Sequence, residues 1–198
     1  MLGKTQHIGE VVSSNTVSFS AVIPDSSSAQ AVLPVQFGDL IKVETESVFA
    51  YAVVYYIEHA PTDSHRKVFP HGRTKDELRR EMPQVFELIQ TSFHALMVGY
   101  EQNNFLRQGL PPQPPGLHDF VFHTTSEEQK AFFDKGFSYL RIFMNSKDVQ
   151  PDELLVSFLR KYFSIIEKRK LVAIGKELSY LVDDDHRRLE QILERIFD

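Results

Sequence analysis

The spacing of the apolar residues changes near residue 125, and no other feature of the chain restricts its fold as much. Before that point the pattern repeats every two residues. Val17, Phe19, Ala21 and Ile23 alternate with Thr16, Ser18, Ser20 and Val22, which gives a strand one apolar face. Ile41, Val43 and Thr45 oppose Lys42, Glu44 and Glu46 in the same way, and residues 48–57 are apolar enough for a strand covered on both faces. Residues 92–100 and 117–122 read as two more strands. Ser13-Ser14-Asn15, Asp25-Ser26-Ser27-Ser28 and Gly38-Asp39 supply turns, because short polar side chains compete for backbone hydrogen bonds. Short strands at this spacing predict a small antiparallel β-barrel. The proline-rich run at 109–116 is expected to close it as a stiff, extended segment, since proline fixes φ and removes a donor.

One helical stretch interrupts the strands. Thr74-Lys75-Asp76-Glu77 has the pattern in which two side chains satisfy the free amides at a helix start. Leu78, Met82, Val85, Phe86 and Ile89 continue at helical spacing, and Pro83 is expected to divide them.

From residue 125 the spacing is helical throughout. Ser126-Glu127-Glu128-Gln129 reads as a second capping box, opening a single helix through Phe132, Phe133, Gly136, Phe137, Leu140 and Phe143. Pro151 marks another helix start, followed by a broad stripe of Leu154, Leu155, Phe158, Leu159, Tyr162, Phe163, Ile165 and Ile166. Leu171, Ile174, Leu178 and Leu181 form a third stripe. Asp183-Asp184-Asp185 begins a last helix carrying Leu189, Ile192, Leu193 and Ile196. The expected fold is α+β: residues 1–124 as an N-terminal barrel with a helical insertion at about 74–90, and 125–198 as a C-terminal bundle of three or four helices. That bundle has two places to bury its remaining apolar face, the barrel or another subunit.

Composition narrows the chemistry. There is no cysteine, which removes disulfides, thiolate metal sites and a cysteine nucleophile, and makes a reducing, cytoplasmic setting the expectation. Sixteen phenylalanines without a tryptophan suggest a Phe-rich core rather than a base-stacking surface. The longest apolar run is about half what a membrane helix needs, so no membrane insertion is expected. A net charge of −5 argues against a surface that grips nucleic acid over its whole extent.

Catalytic motifs are missing. A phosphate-binding loop needs a glycine five residues before its Gly-Lys-Ser/Thr; Gly175-Lys176 is followed by Glu177 and has Lys170 in that place, and Gly3-Lys4 is too near the start. No nucleophile elbow or His-Glu-x-x-His helix occurs. Asp63, His65 and His71 form one histidine group and His118, Asp119 and His123 another, but neither has a recognised ligand spacing. Asp183-Asp184-Asp185-His186 suits a helix start better than a cation site. The chain is therefore read as a non-enzyme with no catalytic, cofactor or metal residues.

Two binding possibilities remain. Arg66, Lys67, Arg73, Arg79 and Arg80, with Lys168, Arg169 and Lys170, are candidate contacts for nucleic acid or another anion, although carboxylates interleave with them. Phe132, Phe133, Phe137, Phe158, Tyr162 and Phe163 are candidate interface residues, because a Phe-rich stripe unsatisfied within the bundle would seek a partner.

The order of short motifs carries a family resemblance. Ile8-Gly9-Glu10-Val11-Val12 opens one strand and Gly38-Asp39-Leu40-Ile41-Lys42-Val43 another, then come Val98-Gly99-Tyr100 and the Pro-Pro-x-Pro-Pro-Gly run before Phe120-Val121-Phe122. Together they resemble the N-terminal barrel of HerA-type DNA translocases, the HAS-barrel related to the crown of the rotary ATP synthase α and β subunits. The resemblance covers residues 7–124, and the helix after Thr74 falls where that family carries an insertion. In the family the barrel precedes a P-loop motor and sits beside its neighbours in a hexameric ring; here helices follow instead. The resemblance implies a homo-oligomeric or partner-docking assembly protein without chemistry of its own. The alternative it implies is a nucleic-acid-associated accessory factor in DNA processing.

Overall fold

The computed structural model describes residues 7–24, 34–63, 67–182 and 185–197. Of the sequence expectations, the loop at 25–28, His65, Arg66, Asp183 and Asp184 lie outside those residues.

β1 (Gly9–Ser14) and β2 (Ser18–Val22) form a hairpin, turned by Asn15, whose side-chain oxygen accepts the Val17 and Ser18 amides at 2.8 and 3.0 Å. β3 (Leu40–Glu44) pairs with β4 (Phe49–Pro61), and β4 pairs along its length with β5 (Ile89–Gln102). β6 (Phe105–Gln108) returns along the far half of β5 through Asn103 and Asn104, both at positive φ (52° and 64°), as a two-residue hairpin turn requires. β7 (Phe120–His123) lies between β1 and β3.

Every pairing is antiparallel, and the β2 contact with the first half of β5 closes six strands into a ring ordered β1-β7-β3-β4-β5-β2. The protein is thus α+β with a closed barrel. Closure comes from strand pairing, which corrects the expected role of the proline-rich run. The run instead carries the chain from β6 to β7, anchored by buried Pro111 and Pro115, and ends where Val11 donates to the Asp119 carbonyl and His118 donates to that of Val11.

The insertion consists of α1 (Lys75–Glu81) and α2 (Gln84–Glu87), divided at Pro83 and without a buried residue. Thr74 caps α1 in a reciprocal box with Glu77. Among the described residues five helices follow β7, against the three or four expected: α3 (Ser126–Asp134), α4 (Tyr139–Asn145), α5 (Pro151–Tyr162), α6 (Lys168–Leu181) and α7 (His186–Phe197). The second capping box is one residue earlier than the sequence suggests, with Thr125 at the cap and Glu128 answering it. The single helix expected over 126–143 is two, because Gly136 takes φ +126°, a conformation that ends a helix and that side-chain-bearing residues rarely adopt.

Two cores share the barrel wall. Val11, Phe19, Ile41, Val43, Ala52, Phe93 and Met97 point inward and fill the barrel. Outward-facing Leu40, Tyr51, Val53, Leu96 and Val98 belong to a second core with Phe132, Phe133, Tyr139, Phe143, Phe158 and Leu159 from the helices. β4 is therefore buried on both faces over residues 50–54, whereas its second half, where the expected two-sided cover ran on to 57, is partly exposed.

Candidate functional site

The seam between barrel and helices accounts for most of the aromatic residues singled out by sequence. Both backbone polar groups of Leu40 are taken by distant side chains. Its N–H donates to the Tyr162 hydroxyl at 2.7 Å, and its carbonyl accepts the Thr124 hydroxyl at 2.7 Å. Just before it, Asp39 pairs with Lys161, Lys161 donates to the Gln36 side chain at 3.0 Å, and the Ser157 hydroxyl donates to the Phe37 carbonyl at 3.3 Å. α5 is thus seated on the turn leading into β3. On α3, Glu128 pairs with Lys42 of β3 at 2.5 Å. Gln108 of β6 holds the break between α3 and α4, donating to the Phe132 and Gly136 carbonyls and accepting the Ser138 amide.

Phe132, Phe133 and Phe158 are almost fully buried in this seam, and Tyr162 nearly so. Their rings stack on one another and on Tyr51 and Tyr139, with centroids 5.1–6.3 Å apart. Burying one such side chain stabilises the fold by roughly 1.5–3 kcal/mol. Their interface is consequently the one within this chain. Phe137 packs at the edge of the same core, while Phe163 stays 37% exposed, edge-on to Phe197 of α7.

The basic candidates separate into two places. Arg73 pairs with Glu81, Arg79 with Asp76 at 3.5 Å, and Arg80 donates to the Asp76 carbonyl, all on the exposed insertion with Lys67. Lys168, Arg169 and Lys170 open α6, where Arg169 pairs with Glu167 and Lys170 with Asp134. Exposed pairs of this kind partly neutralise the charge that would attract phosphate. Of the histidine groups, His118 meets Glu10 on β1, and among the described residues no three His, Asp or Glu side chains converge as metal ligands.

Helices cover only part of the barrel. Outward apolar side chains of β3, β4 and β5 enter the seam, whereas among the described residues β1, β2 and β7 contribute no apolar side chain to it. On the uncovered flank Phe120 is 46% exposed with the His7 ring 4.5 Å away. Val12 of β1, Leu117 before β7, and Phe49, which lies under the Lys42 ammonium, are also exposed. α7 leaves a shallow apolar groove along Leu189, Leu193 and Phe197, edged by Glu190 and Glu194.

A more enclosed cleft of about 450 Å³ opens where β4 passes the helices. Phe37, Tyr55, Tyr56, Ile57, Asp148 and Gln150 line it. Its tyrosines are neighbours in sequence, and regular alternation would send them to opposite faces. The ladder with β5 slips between Val54 and Tyr56, so Tyr55 is the extra residue of a bulge. Both rings then lie against His94, with centroids at 6.0 and 5.3 Å. Burial, with a smaller contribution from the Asp148 carboxylate, raises the Tyr55 phenol above its ordinary value and keeps it protonated. Sequence reading missed this cleft because a bulge leaves no mark in the apolar pattern; the adjacent pair Tyr55-Tyr56 is the only signal it gives.

No family model matches the chain, and no curated protein matches it. No helix among the described residues is long and apolar enough to cross a membrane. The fold and surface define an α+β protein whose closed barrel carries helices on one side and an uncovered apolar flank on the other.

Proposed function

We propose that the chain is a non-catalytic assembly protein of the HAS-barrel type, which associates with copies of itself through the barrel flank its helices leave bare. The observation that carries this is the exposure of Phe120, with Val12 and Leu117, on β1 and β7 and in the segment before β7. Aromatic residues presented together on a sheet face mark interaction surfaces more often than isolated apolar residues do. The seam supports the same reading from the other side. The Phe-rich stripe is satisfied inside the chain, so the six candidate aromatics leave little of their area for a partner, and the bare barrel flank is one of the surfaces that keeps apolar area to offer.

In this reading the barrel serves as it does in the translocases and the ATP synthase crown, setting subunits side by side. The cysteine-free composition suits the reducing cytoplasm. Sedimentation velocity over a wide concentration range is the test. A concentration-dependent oligomer is expected, and a strict monomer at every concentration would overturn the proposal. Salt-dependent retention of DNA or RNA by such a monomer would favour a nucleic-acid-associated accessory factor instead.

A further inference from the structure

We infer that the cleft beside the β4 bulge is a binding site for a small organic cation of the alkylammonium class. Three features converge there. Three of its six lining residues, Phe37, Tyr55 and Tyr56, are aromatic, and aromatic rings attract cations through their quadrupole. A carboxylate stands at its rim, because Asp148 lines the cleft and makes no ion pair among the described residues. Among the described residues no lysine or arginine lines it. Its volume of about 450 Å³ falls within the range of small-ligand pockets.

The rings are held in place rather than loosely exposed. His94 lies against both tyrosines, edge-on to Tyr56 at 5.3 Å. Phe37 sits in the turn that Ser157 and Lys161 hold against α5. Gln150 immediately precedes Pro151 at the start of α5, which fixes that wall. The bulge supplies the second tyrosine at the expense of a regular ladder, an arrangement that re-aims a side chain. A quaternary ammonium fits these walls better than a metal ion or an inorganic anion. The carboxylate and the aromatic rings are complementary to a diffuse positive charge, and among the described residues Asp148 is the one carboxylate that lines the cleft.

The test is an amide NMR titration of the full chain with choline, run beside its uncharged isostere 3,3-dimethyl-1-butanol. Saturable shifts centred on Tyr55, Tyr56 and Gln150 are expected with choline, with binding of the isostere weaker by about tenfold. Asp148→Asn should weaken choline binding by about three- to tenfold, and Tyr56→Ala by at least as much. Tyr56 is 48% exposed and lies outside both cores, and Asp148 is exposed, so both variants should keep the parent's melting temperature. Absence of a saturable shift would overturn the assignment. So would equal binding of the isostere, or choline binding unchanged by Asp148→Asn in a folded variant.

Discussion

The Tyr162 hydroxyl accepts the Leu40 N–H at 2.7 Å across 122 residues of sequence, tying the last turn of α5 to the first residue of β3. Both groups are buried, so water cannot replace either one. The Thr124 hydroxyl closes the other side of the same residue. Tyr162→Phe leaves the Leu40 amide without its acceptor and is expected to destabilise the fold by about 1–3 kcal/mol. Urea unfolding should show a lower midpoint with an unchanged slope.

Gly38, two residues before Leu40, adopts φ +80°, and a Cβ there would stand 2.8 Å from the Ser157 hydroxyl oxygen. Gly38→Ala therefore meets both a backbone conformation unfavourable to alanine and a collision with α5. A loss of about 2 kcal/mol is expected from the two together. Ser157→Ala should recover part of it, since that change relieves the collision but not the backbone conformation. A double-mutant cycle measured by urea unfolding separates them.

Tyr139 is fully buried among Phe132, Phe133, Phe143 and Phe158, and its hydroxyl has no hydrogen-bond partner among the described residues. Burying a polar group in that way opposes folding. Tyr139→Phe should leave stability unchanged or raise it by about 1 kcal/mol, measured as a shift in melting temperature. A clear loss would show that the hydroxyl makes a stabilising contact.

Burial pushes the Tyr162 phenol up to about 12, with the Leu40 N–H acting against the shift and the Asp39 carboxylate adding to it. Burial raises Tyr51 and Tyr139 in the same direction. Above pH 10 the unfolded chain releases phenolic protons that the folded chain retains. The stability Tyr162 contributes in this way is thus complete below pH 10 and lost as pH rises through about 12. In an alkaline titration, absorbance should show exposed tyrosines ionising first. The buried group should ionise only as the near-ultraviolet circular dichroism disappears.

Much of the architecture was legible because it rests on local patterns. Phe19, Ala21 and Ile23 alternate and do face one core, although Val17, read as part of the same face, precedes β2 and is 41% exposed; Thr74 and Glu77 do form a capping box, and the change of spacing near 125 falls between β7 and α3. The misreadings have particular causes. Gly136 keeps its flanking phenylalanines at helical spacing, so only its backbone conformation reveals the break. β6 was missed because four residues show too little alternation, although Asn103-Asn104 is a recognisable turn pair. The Phe-rich stripe was read correctly as seeking burial, but sequence could not decide between the barrel and another subunit. The deciding contacts, Tyr162 with Leu40 and Lys161 with Asp39, join positions more than a hundred residues apart.

The bare barrel flank is tested most directly by sedimentation velocity on two matched variants, Phe120→Asp on β7 and Phe197→Asp on α7, beside the parent. Both side chains are about half exposed, at 46% and 56%, so neither change opens a core. If copies associate through the flank, the parent forms an oligomer, Phe120→Asp shifts it to monomer, and Phe197→Asp leaves it intact. An oligomer that survives Phe120→Asp and dissociates with Phe197→Asp, or a parent that is monomeric throughout, would contradict the account.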